Sequence, residues 1–386
     1  MKTFPFPGHA MLLPEIVRAD NCSLFDAAGN RYVDLESGVW CTPAGHGNPA
    51  VKAAISEQLD AVAHVGFCYG SSVVEEAAGA VQGLLGHEGG RCAFLCSGSE
   101  AVEYGVRAMR AVLDGAGIMT MADSYFGAYG DAASRRDGWF VFDWFGCEGC
   151  GREACTADCP RWAFIPLDQI GGFLFEPGSS SGFVRFPPAR LIESINRALK
   201  EKGGLFMVNE VTTGMGRTGR WFGHQHYDVR PDIAALGKGV GNGYPVSVSS
   251  LNADVVSRLG GKPIPYGQSH LNDPLGAAVV RAVIGEFEEK RLLERAADLS
   301  DILLSGLQAI AETSPRTVTV RGRGLMAAME LGMDPADAAS LHESLVHSGF
   351  ICALRPGSDV LRIDPALTID EGDLRGFIDT LGSLLA

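Results

Sequence analysis

The amino-acid sequence predicts an α/β protein whose mostly parallel sheet is covered by helices on both faces. Three observations support this fold class. Short apolar runs recur through the first 250 residues, and segments with helical spacing separate several of them. The chain has 386 residues, of which 46% are hydrophobic and 20% charged, as is usual for a globular protein of about two domains.

The N-terminal part begins with a predicted hairpin over residues 23–36, where apolar residues alternate around an Ala-Gly-Asn turn. Helices are predicted over residues 73–86, 99–113 and 189–202 from their apolar spacing. Strands are predicted at the apolar runs 92–96, 117–122, 171–176, 205–210, 232–237 and 244–250. Because ligands of such sheets bind at the carboxyl ends of the strands, the polar residues that follow these runs are candidates for a site.

The character of the sequence changes after about residue 250. A helical stretch over residues 274–313 precedes a strand-rich tail and a terminal helix over residues 371–385. We predict an N-terminal segment (1–45), a large domain (46–250) and a smaller C-terminal α+β domain (251–386). The N-terminal segment is expected to join the sheet of the smaller domain.

Charge and hydropathy exclude several classes of partner. The net charge of −14 argues against nucleic acid or an anionic membrane surface, since both require a basic face. No run approaches the ~20 apolar residues that cross a bilayer. Prolines and a histidine interrupt the N-terminal stretch MKTFPFPGHAMLLPEIVRAD, which therefore lacks the apolar core of a signal peptide. We expect a cytoplasmic protein.

Lys238 differs from the other lysines in its surroundings. It follows an apolar strand in PDIAALGKGVGNGYP and has glycine on both sides. A lysine held at a buried strand end can have a lowered pKa and act as an amine nucleophile. A lysine in a surface loop is the alternative.

A possible anion site occurs in CSGSEAVEYG (96–105), where a strand end leads through a Gly-Ser turn into a helix. Backbone N–H groups at a helix N-terminus bind phosphate, although a simple helix cap is the alternative. A buried lysine and a phosphate site in one α/β protein together indicate pyridoxal phosphate, a phosphorylated aldehyde.

Over nearly its whole length the chain resembles the class III (subgroup II) aminotransferases, which are fold-type I enzymes dependent on pyridoxal 5'-phosphate. Eight motifs in the family's order carry the resemblance: YVDLESGVWCTPAGHGNP (32–49), SGSEAVEYGVRAMR (97–110), SYFGAYG (124–130), FEPGSSSG (175–182), NEVTTGMGRTG (209–219), PDIAALGKGVGNGYPVS (231–247), SHLNDPLGAA (269–278) and VLRIDPALTI (360–369). It implies amino-group transfer between an amino acid and a 2-oxo acid.

The resemblance also implies roles for the residues that hold the cofactor. Lys238 would form the Schiff base with the cofactor and later move the substrate proton. Gly98 and Ser99 would hold the phosphate. Tyr125 and Val211 would lie on opposite faces of the pyridine ring, although Tyr125 could also be ordinary core.

Two further residues, Ser269 and Arg362, match subunit or substrate contacts of the family. Ser269 corresponds to a threonine that reaches the phosphate of the neighbouring subunit, which implies a homodimer with shared active sites. Arg362 corresponds to the arginine that binds the substrate α-carboxylate, a role that suits a planar guanidinium. A surface ion pair is the alternative for Arg362. Trp40 could line the substrate pocket or belong to the core.

Two positions at the cofactor ring depart from the family. Asn209 replaces the aspartate that keeps the pyridine nitrogen protonated, and a neutral amide can only form a hydrogen bond there. Glu210 is not expected to substitute, because adjacent strand residues point to opposite faces. Thr212 stands where glutamine often reaches the ring hydroxyl, and its shorter side chain would lose or weaken that contact.

Another departure concerns the substrate. Ornithine- and aminobutyrate-type members often carry a glutamate that masks the carboxylate-binding arginine, whereas this chain has Ser181. Arg362 would then stay free, which favours an α-amino acid substrate.

Four cysteines lie close together in FGCEGCGREACTADCPRW, a segment that the family pattern does not contain: Cys147, Cys150, Cys155 and Cys159. Four thiolates at this spacing suit zinc, or less readily an iron–sulfur cluster. Free thiols or disulfides are the alternatives. We expect this segment near the mouth of the active site or the dimer interface.

Two alternatives to an aminotransferase stay open. Because a weaker electron sink suits brief removal of the α-proton, Asn209 also fits a racemase, epimerase or aminomutase of the same fold. A catalytically idle protein derived from this fold is a less favoured alternative, since Lys238, Gly98, Ser99 and Arg362 are all retained.

Overall fold

The computed structural model describes residues 4, 11–13, 15–152, 154–316 and 318–386. Most of the first fourteen residues, which contribute to the signal-peptide prediction and to the predicted N-terminal segment, lie outside these ranges. Among the described helices, none is both long and apolar enough to cross a membrane.

The N-terminal segment folds as a three-stranded antiparallel unit followed by a short turn. Its elements are β1 (Ile16–Asp20), β2 (Ser23–Asp26), β3 (Arg31–Asp34) and α1 (Ser37–Trp40). β2 and β3 form the predicted hairpin. Ser37, Gly38, Val39 and Trp40 all have positive φ, so α1 is a tight left-handed turn rather than a regular helix.

The central sheet has seven strands: β4 (Arg91–Leu95), β5 (Gly117–Met121), β6 (Trp139–Phe142), β7 (Ile170–Phe175), β8 (Leu205–Asn209), β9 (Ile233–Leu236) and β10 (Ser247–Leu251). Their order is β4-β10-β9-β8-β7-β5-β6. β10 is antiparallel to both neighbours and all other pairs are parallel. The six predicted strands are therefore confirmed, with ends shifted by up to three residues.

Helices cover both faces of this sheet, as alternation along β8 shows. Phe206 and Val208 belong to one buried cluster, whereas Leu205 and Met207 belong to another, which includes the apolar face of α4. The helices of this part are α2 (Pro49–Ala61), α3 (Ser72–Leu85), α4 (Gly98–Leu113), α5 (Asp131–Ser134) and α6 (Ala189–Lys200).

The C-terminal part contains α7 (Ala253–Leu259), α8 (Pro274–Glu289), α9 (Leu292–Thr313), β11 (Thr319–Arg323), β12 (Met326–Glu330), α10 (Pro335–His347), β13 (Phe350–Ile351), β14 (Ala353–Leu354), β15 (Val360–Ile363) and α11 (Glu371–Leu385). β11, β12, β15 and β14 form one sheet. β13 pairs with β3 of the N-terminal segment, so these two parts of the chain share a sheet, as predicted.

The predicted helical stretch over residues 274–313 is confirmed, and the structure adds a break within it. It divides into α8 and α9, because Arg291 adopts a φ of 50° between them. α8 packs against α2 and α3, whereas α9 packs against α11 and β11. The proposed domain boundary near residue 250 stays a prediction.

Candidate active site

Lys238 lies directly beyond β9, at the carboxyl end of the parallel strands. It begins a short 3-10 turn, Lys238–Gly241, and has a φ of 46°, which is a strained conformation for a residue with a side chain. Burial lowers the pKa of the Lys238 amine to about 8, although Cys41 and Glu176 oppose this shift. An amine with this pKa is partly neutral near pH 7 and can act as a nucleophile.

The N-terminus of α4 adjoins this lysine. Ser97 caps the helix: its Oγ accepts a hydrogen bond from the backbone N–H of Glu100, whose carboxylate accepts from the N–H groups of Cys96 and Ser97. The N–H groups of Gly98 and Ser99 have no acceptor within the described chain. These two donors, with the helix dipole, suit a phosphate group.

Position 98 also requires glycine, because its backbone lies against the Val211 side chain. A side chain at this position would place its Cβ 2.6 Å from Val211 Cγ1, which no packing tolerates. Gly237, next to Lys238, is similarly close to Gly98. The backbone of the anion site, the aliphatic Val211 and the lysine are therefore brought together, as the sequence predicts.

Asn209, at the end of β8, is held in one orientation by two backbone groups. Its Nδ2 donates to the Tyr125 carbonyl oxygen over 3.0 Å, and its Oδ1 accepts from the Val211 N–H over 3.2 Å. Since a carbonyl can only accept and an N–H can only donate, the amide cannot be flipped. An aspartate here would direct an oxygen at the Tyr125 carbonyl, which gives the amide a local structural reason.

Glu210 points away from Asn209, as expected for adjacent residues at a strand end. Its buried carboxylate accepts hydrogen bonds from Thr213 Oγ1, from the N–H groups of Gly223 and His224, and from His224 Nδ1, over 2.6–2.8 Å. Both oxygens of the Glu210 carboxylate therefore accept hydrogen bonds from residues 213–224.

The other cofactor-binding candidates differ in how well the structure defines their surroundings. Tyr125 is 49% exposed in the loop after β5, and its N–H donates to Glu176. Thr212 Oγ1 is buried and has no hydrogen-bond partner among the described residues. Ser269 is exposed between α7 and α8, and its contact with a second subunit stays a prediction.

Arg362, on β15, contacts the same aromatic ring as Lys238. The Arg362 Cζ lies 3.7 Å from the centroid of the buried Trp40 ring, and the Lys238 Nζ lies 4.7 Å from it. The Arg362 side chain is only 12% exposed, so the alternative of a surface ion pair is wrong. The Trp40 ring thus contacts both the predicted catalytic residue and the predicted carboxylate-binding residue.

Sequence reasoning missed the partner of Arg362. The Arg362 Nε donates to Asp364 Oδ2 over 2.5 Å, and the Asp364 side chain is fully buried. Ser181 alone indicated that Arg362 is free, but the Arg362 Nε is occupied by Asp364. The two Arg362 Nη atoms bond to no acceptor in the described chain. A weak signal was available, because Asp364 follows β15 directly and lies two residues from Arg362 in the sequence.

Two other carboxyl groups near the site were also missed. Burial raises the pKa of Glu36 to about 7, although the charge of Arg362 opposes this shift. Burial likewise raises the pKa of Glu176 to about 7, and this carboxylate accepts from the Tyr125 N–H and Ser180 Oγ. Both groups can therefore change charge near neutral pH.

These residues fit pyridoxal phosphate. The chain offers an amine with a lowered pKa, paired backbone donors at a helix N-terminus, an aliphatic contact at Val211 and an unpaired buried hydroxyl at Thr212. The neutral Asn209 side chain completes this set at the strand end. The individual roles of these residues stay predictions.

The cysteine segment extends between two buried anchors, Trp144 and Ile165. The Trp144 indole N–H donates to the Ala122 carbonyl over 3.0 Å. Arg185 stacks on Phe145 of this segment and on Phe183, which packs near Trp40. The position of the segment near the mouth of the active site or the dimer interface stays a prediction.

The four cysteines of this segment have free thiols. Among the described residues, the group whose metal-ligating atoms lie within 4.8 Å of one another is His64, His270 and Asp273, not the cysteines. A bound metal at the cysteines thus stays a prediction.

Comparisons with known proteins agree with this geometry. The model of the family "Aminotransferase class-III" matches residues 6–134 and 164–385, and the unmatched interval contains all four clustered cysteines.

Two curated relatives align over almost the entire chain. The leucine/methionine racemase of Thermococcus litoralis is 28% identical, covering 100% of this chain and 94% of that protein. The acetylornithine aminotransferase of Bacillus subtilis is 29% identical, covering 96% of this chain and 95% of that protein.

Among solved structures, an aminotransferase from Bacillus anthracis superposes with a TM-score of 0.88 at 23% identity, covering 96% of this chain and 92% of that one, which shows the same fold. The fold-type I architecture and a pyridoxal-phosphate-dependent amino-group transfer are thereby confirmed at the level of the family. The chain belongs to the class-III aminotransferase family.

Proposed function

We propose that this enzyme transfers an amino group from an α-amino acid to a 2-oxo acid. One observation carries the choice of substrate class: Arg362 and Lys238 contact the same Trp40 ring, and the Arg362 Nη atoms are not bonded within the described chain. The carboxylate and the amine of an α-amino acid are carried on one carbon atom. They would thus meet Arg362 and Lys238, which contact the same Trp40 ring.

The chain's own residues would perform three tasks. Gly98 and Ser99 hold the cofactor phosphate, and Val211 and Tyr125 hold the faces of its ring. Arg362 binds the substrate carboxylate through both Nη atoms, a geometry that favours strong charge-assisted bonds. Trp40 excludes water from the carboxylate and the reacting amine.

Proton transfer is assigned to Lys238. Bound pyridoxal phosphate supplies an electron sink for the carbon from which the proton is removed. The Lys238 Nζ would take this proton and return it to a different atom, which would complete the proton transfer. A pKa near 8 suits this exchange, because the amine can both accept and release a proton near neutral pH.

Donor preference tests the proposed substrate class. We expect L-alanine to be used at least about tenfold better than 4-aminobutyrate, as kcat/KM, because a fixed Arg362 suits a carboxylate adjacent to the amine; tenfold corresponds to ~1.4 kcal/mol. The measurement is steady-state kinetics of the holoenzyme with each donor and 2-oxoglutarate or pyruvate. A clear preference for 4-aminobutyrate would overturn the proposal.

A racemase or epimerase is a second candidate, because two observations favour it. Asn209 offers no charge to the ring nitrogen, and one relative that aligns over the full chain is a racemase. Both reactions would use Lys238 as the base, but only transamination leaves an amino group on the cofactor.

We also propose that Cys147, Cys150, Cys155 and Cys159 bind one zinc ion. Support comes from their spacing and from their position in an interval that the family model does not match. The thiols would have to approach one another on binding, between ends held by Trp144 and Ile165. Zinc is preferred to an iron–sulfur cluster because four thiolates give it a closed tetrahedral site.

Elemental analysis of chelator-free protein tests this metal site. We expect about one equivalent of zinc per chain. The double variant Cys150→Ser/Cys159→Ser should lose the metal, whereas Cys68→Ser, which changes an exposed cysteine outside the segment, should retain it. Less than about a tenth of an equivalent of any transition metal in the wild type would refute the site.

The assembly and location of the enzyme belong to the same proposal. Ser269 is exposed, as it must be to contact a second subunit, and supports a homodimer with shared active sites. A cytoplasmic location is proposed from the sequence alone.

A further inference from the structure

Asp364 is a buried acid that the proposed reaction does not use. Its Oδ2 accepts a hydrogen bond from the Arg362 Nε over 2.5 Å, and its side chain has no exposed surface. Placing a carboxylate out of water costs several kcal/mol, so it persists only where a cation and hydrogen bonds compensate. Arg362 supplies that cation.

The backbone of Asp364 is fixed against the N-terminal segment. Its N–H donates to the Leu35 carbonyl over 2.7 Å, and its own carbonyl accepts from Ser37 Oγ over 2.5 Å. Ser37 Oγ in turn accepts from the buried Arg217 Nη2 over 2.7 Å. The Asp364 backbone is thus held through both its N–H and its carbonyl group.

Trp40 restrains Arg362 in a second direction. The indole ring covers the flat face of the guanidinium at 3.7 Å, and the Trp40 backbone is held by its N–H bond to the Glu36 carbonyl over 2.9 Å. The Trp40 indole N–H and Asp364 Oδ1 are buried without a hydrogen-bond partner among the described residues. Burial raises the pKa of Asp364, although the charges of Arg362 and Arg217 and the nearby Trp40 indole N–H oppose this shift.

Together these contacts leave Arg362 one direction in which to bind. The Nε is occupied by Asp364, one face is covered by Trp40, and the two Nη atoms remain. Two parallel N–H donors on a planar group match the two oxygens of a carboxylate. An arginine that could rotate would accept substrates with and without an α-carboxylate.

We propose that Asp364 is a positioning residue: it holds the Arg362 guanidinium at the Trp40 ring that Lys238 also contacts, with its Nη atoms left for the substrate, and so restricts the enzyme to donors that carry an α-carboxylate. This inference rests on the proposed function, because it assumes that Arg362 binds the substrate carboxylate. A simple structural ion pair is the competing explanation, and the test separates the two.

The test uses two small probes of the holoenzyme, each followed by the cofactor absorbance. Propionate presents a carboxylate without an amine, and methylamine presents an amine without a carboxylate. In Asp364→Ala we expect the Kd for propionate to rise by about tenfold to a hundredfold, since small misplacements at a site have effects of this size. The Kd for methylamine should change by less than about threefold.

Three companion variants make the result specific. Asp364→Asn keeps an acceptor for the Arg362 Nε and should give a smaller rise; it also carries the test if Asp364→Ala does not fold. Glu330→Gln, which removes an ion pair with Arg321 on the neighbouring strand, should leave both Kd values unchanged. Arg362→Gln should lose propionate binding.

Three results would overturn the inference. Equal weakening of propionate and methylamine in the Asp364 variants would mean a structural role only, and so would unchanged propionate binding while Arg362→Gln loses it. Retained propionate binding in Arg362→Gln would instead refute the proposed carboxylate site itself, and the inference with it.

Discussion

Replacement of Lys238 by alanine is expected to lower turnover by at least about 10⁴-fold, the upper end of what a general acid–base group contributes. The variant loses both the amine that binds the cofactor and the group that moves the proton. The fold should be retained, because removing a buried amine relieves a desolvation cost. Steady-state kinetics and mass spectrometry after borohydride reduction, which detects cofactor bound covalently to the chain, measure the two effects.

The matched control for this variant is Lys202→Ala. Lys202 is an exposed lysine paired with the exposed Asp168, and surface ion pairs contribute little to stability. Lys202→Ala should keep the activity and the covalently bound cofactor. Covalent cofactor on the chain of Lys238→Ala, at the wild-type level, would show that another residue forms the link.

Replacement of Asn209 by aspartate is expected to change both stability and chemistry. The new carboxylate oxygen would face the Tyr125 carbonyl in place of the 3.0 Å hydrogen bond, which should cost the cofactor-free protein about 1–3 kcal/mol. In the holoenzyme the negative charge would favour a protonated ring nitrogen and so a stronger electron sink. We expect oxo-acid formation to rise relative to α-hydrogen exchange.

Asn209→Ala separates these two effects, since it removes the same hydrogen bonds without adding a charge. Denaturant unfolding of the cofactor-free proteins and product analysis of the holoenzymes provide the measurements. If Asn209→Asp matches the wild type in stability and product ratio, the amide has neither the structural nor the electronic role described above.

The parts of the site that were predictable are those fixed by strand ends. Residues after buried parallel strands share one edge of the sheet, so the positions of Lys238, Asn209 and Gly98 followed from apolar runs and a few glycines. The opposite orientation of Glu210 followed from strand alternation. Here local sequence and global fold impose the same arrangement.

Other features depend on contacts between distant segments, which local patterns do not encode. The hydrogen bonds that hold the Asp364 backbone join residues 35 and 37 to residue 364. The strands β13 and β3 pair across more than 300 residues. The break at Arg291 lies in a sequence with continuous helical spacing, and a positive φ there follows from the different packing of α8 and α9. The contact of the Trp40 ring with both Lys238 and Arg362 was likewise visible only in three dimensions.

A single-substrate experiment tests the central claim most directly. The holoenzyme is mixed with a panel of single L-amino acids in D₂O, without any oxo acid, and oxo acid, α-deuterium and D-isomer are quantified. We predict about one equivalent of oxo acid per chain and then arrest, relieved by adding pyruvate or 2-oxoglutarate. Sustained formation of the D-isomer without oxo acid would contradict an aminotransferase and establish a racemase.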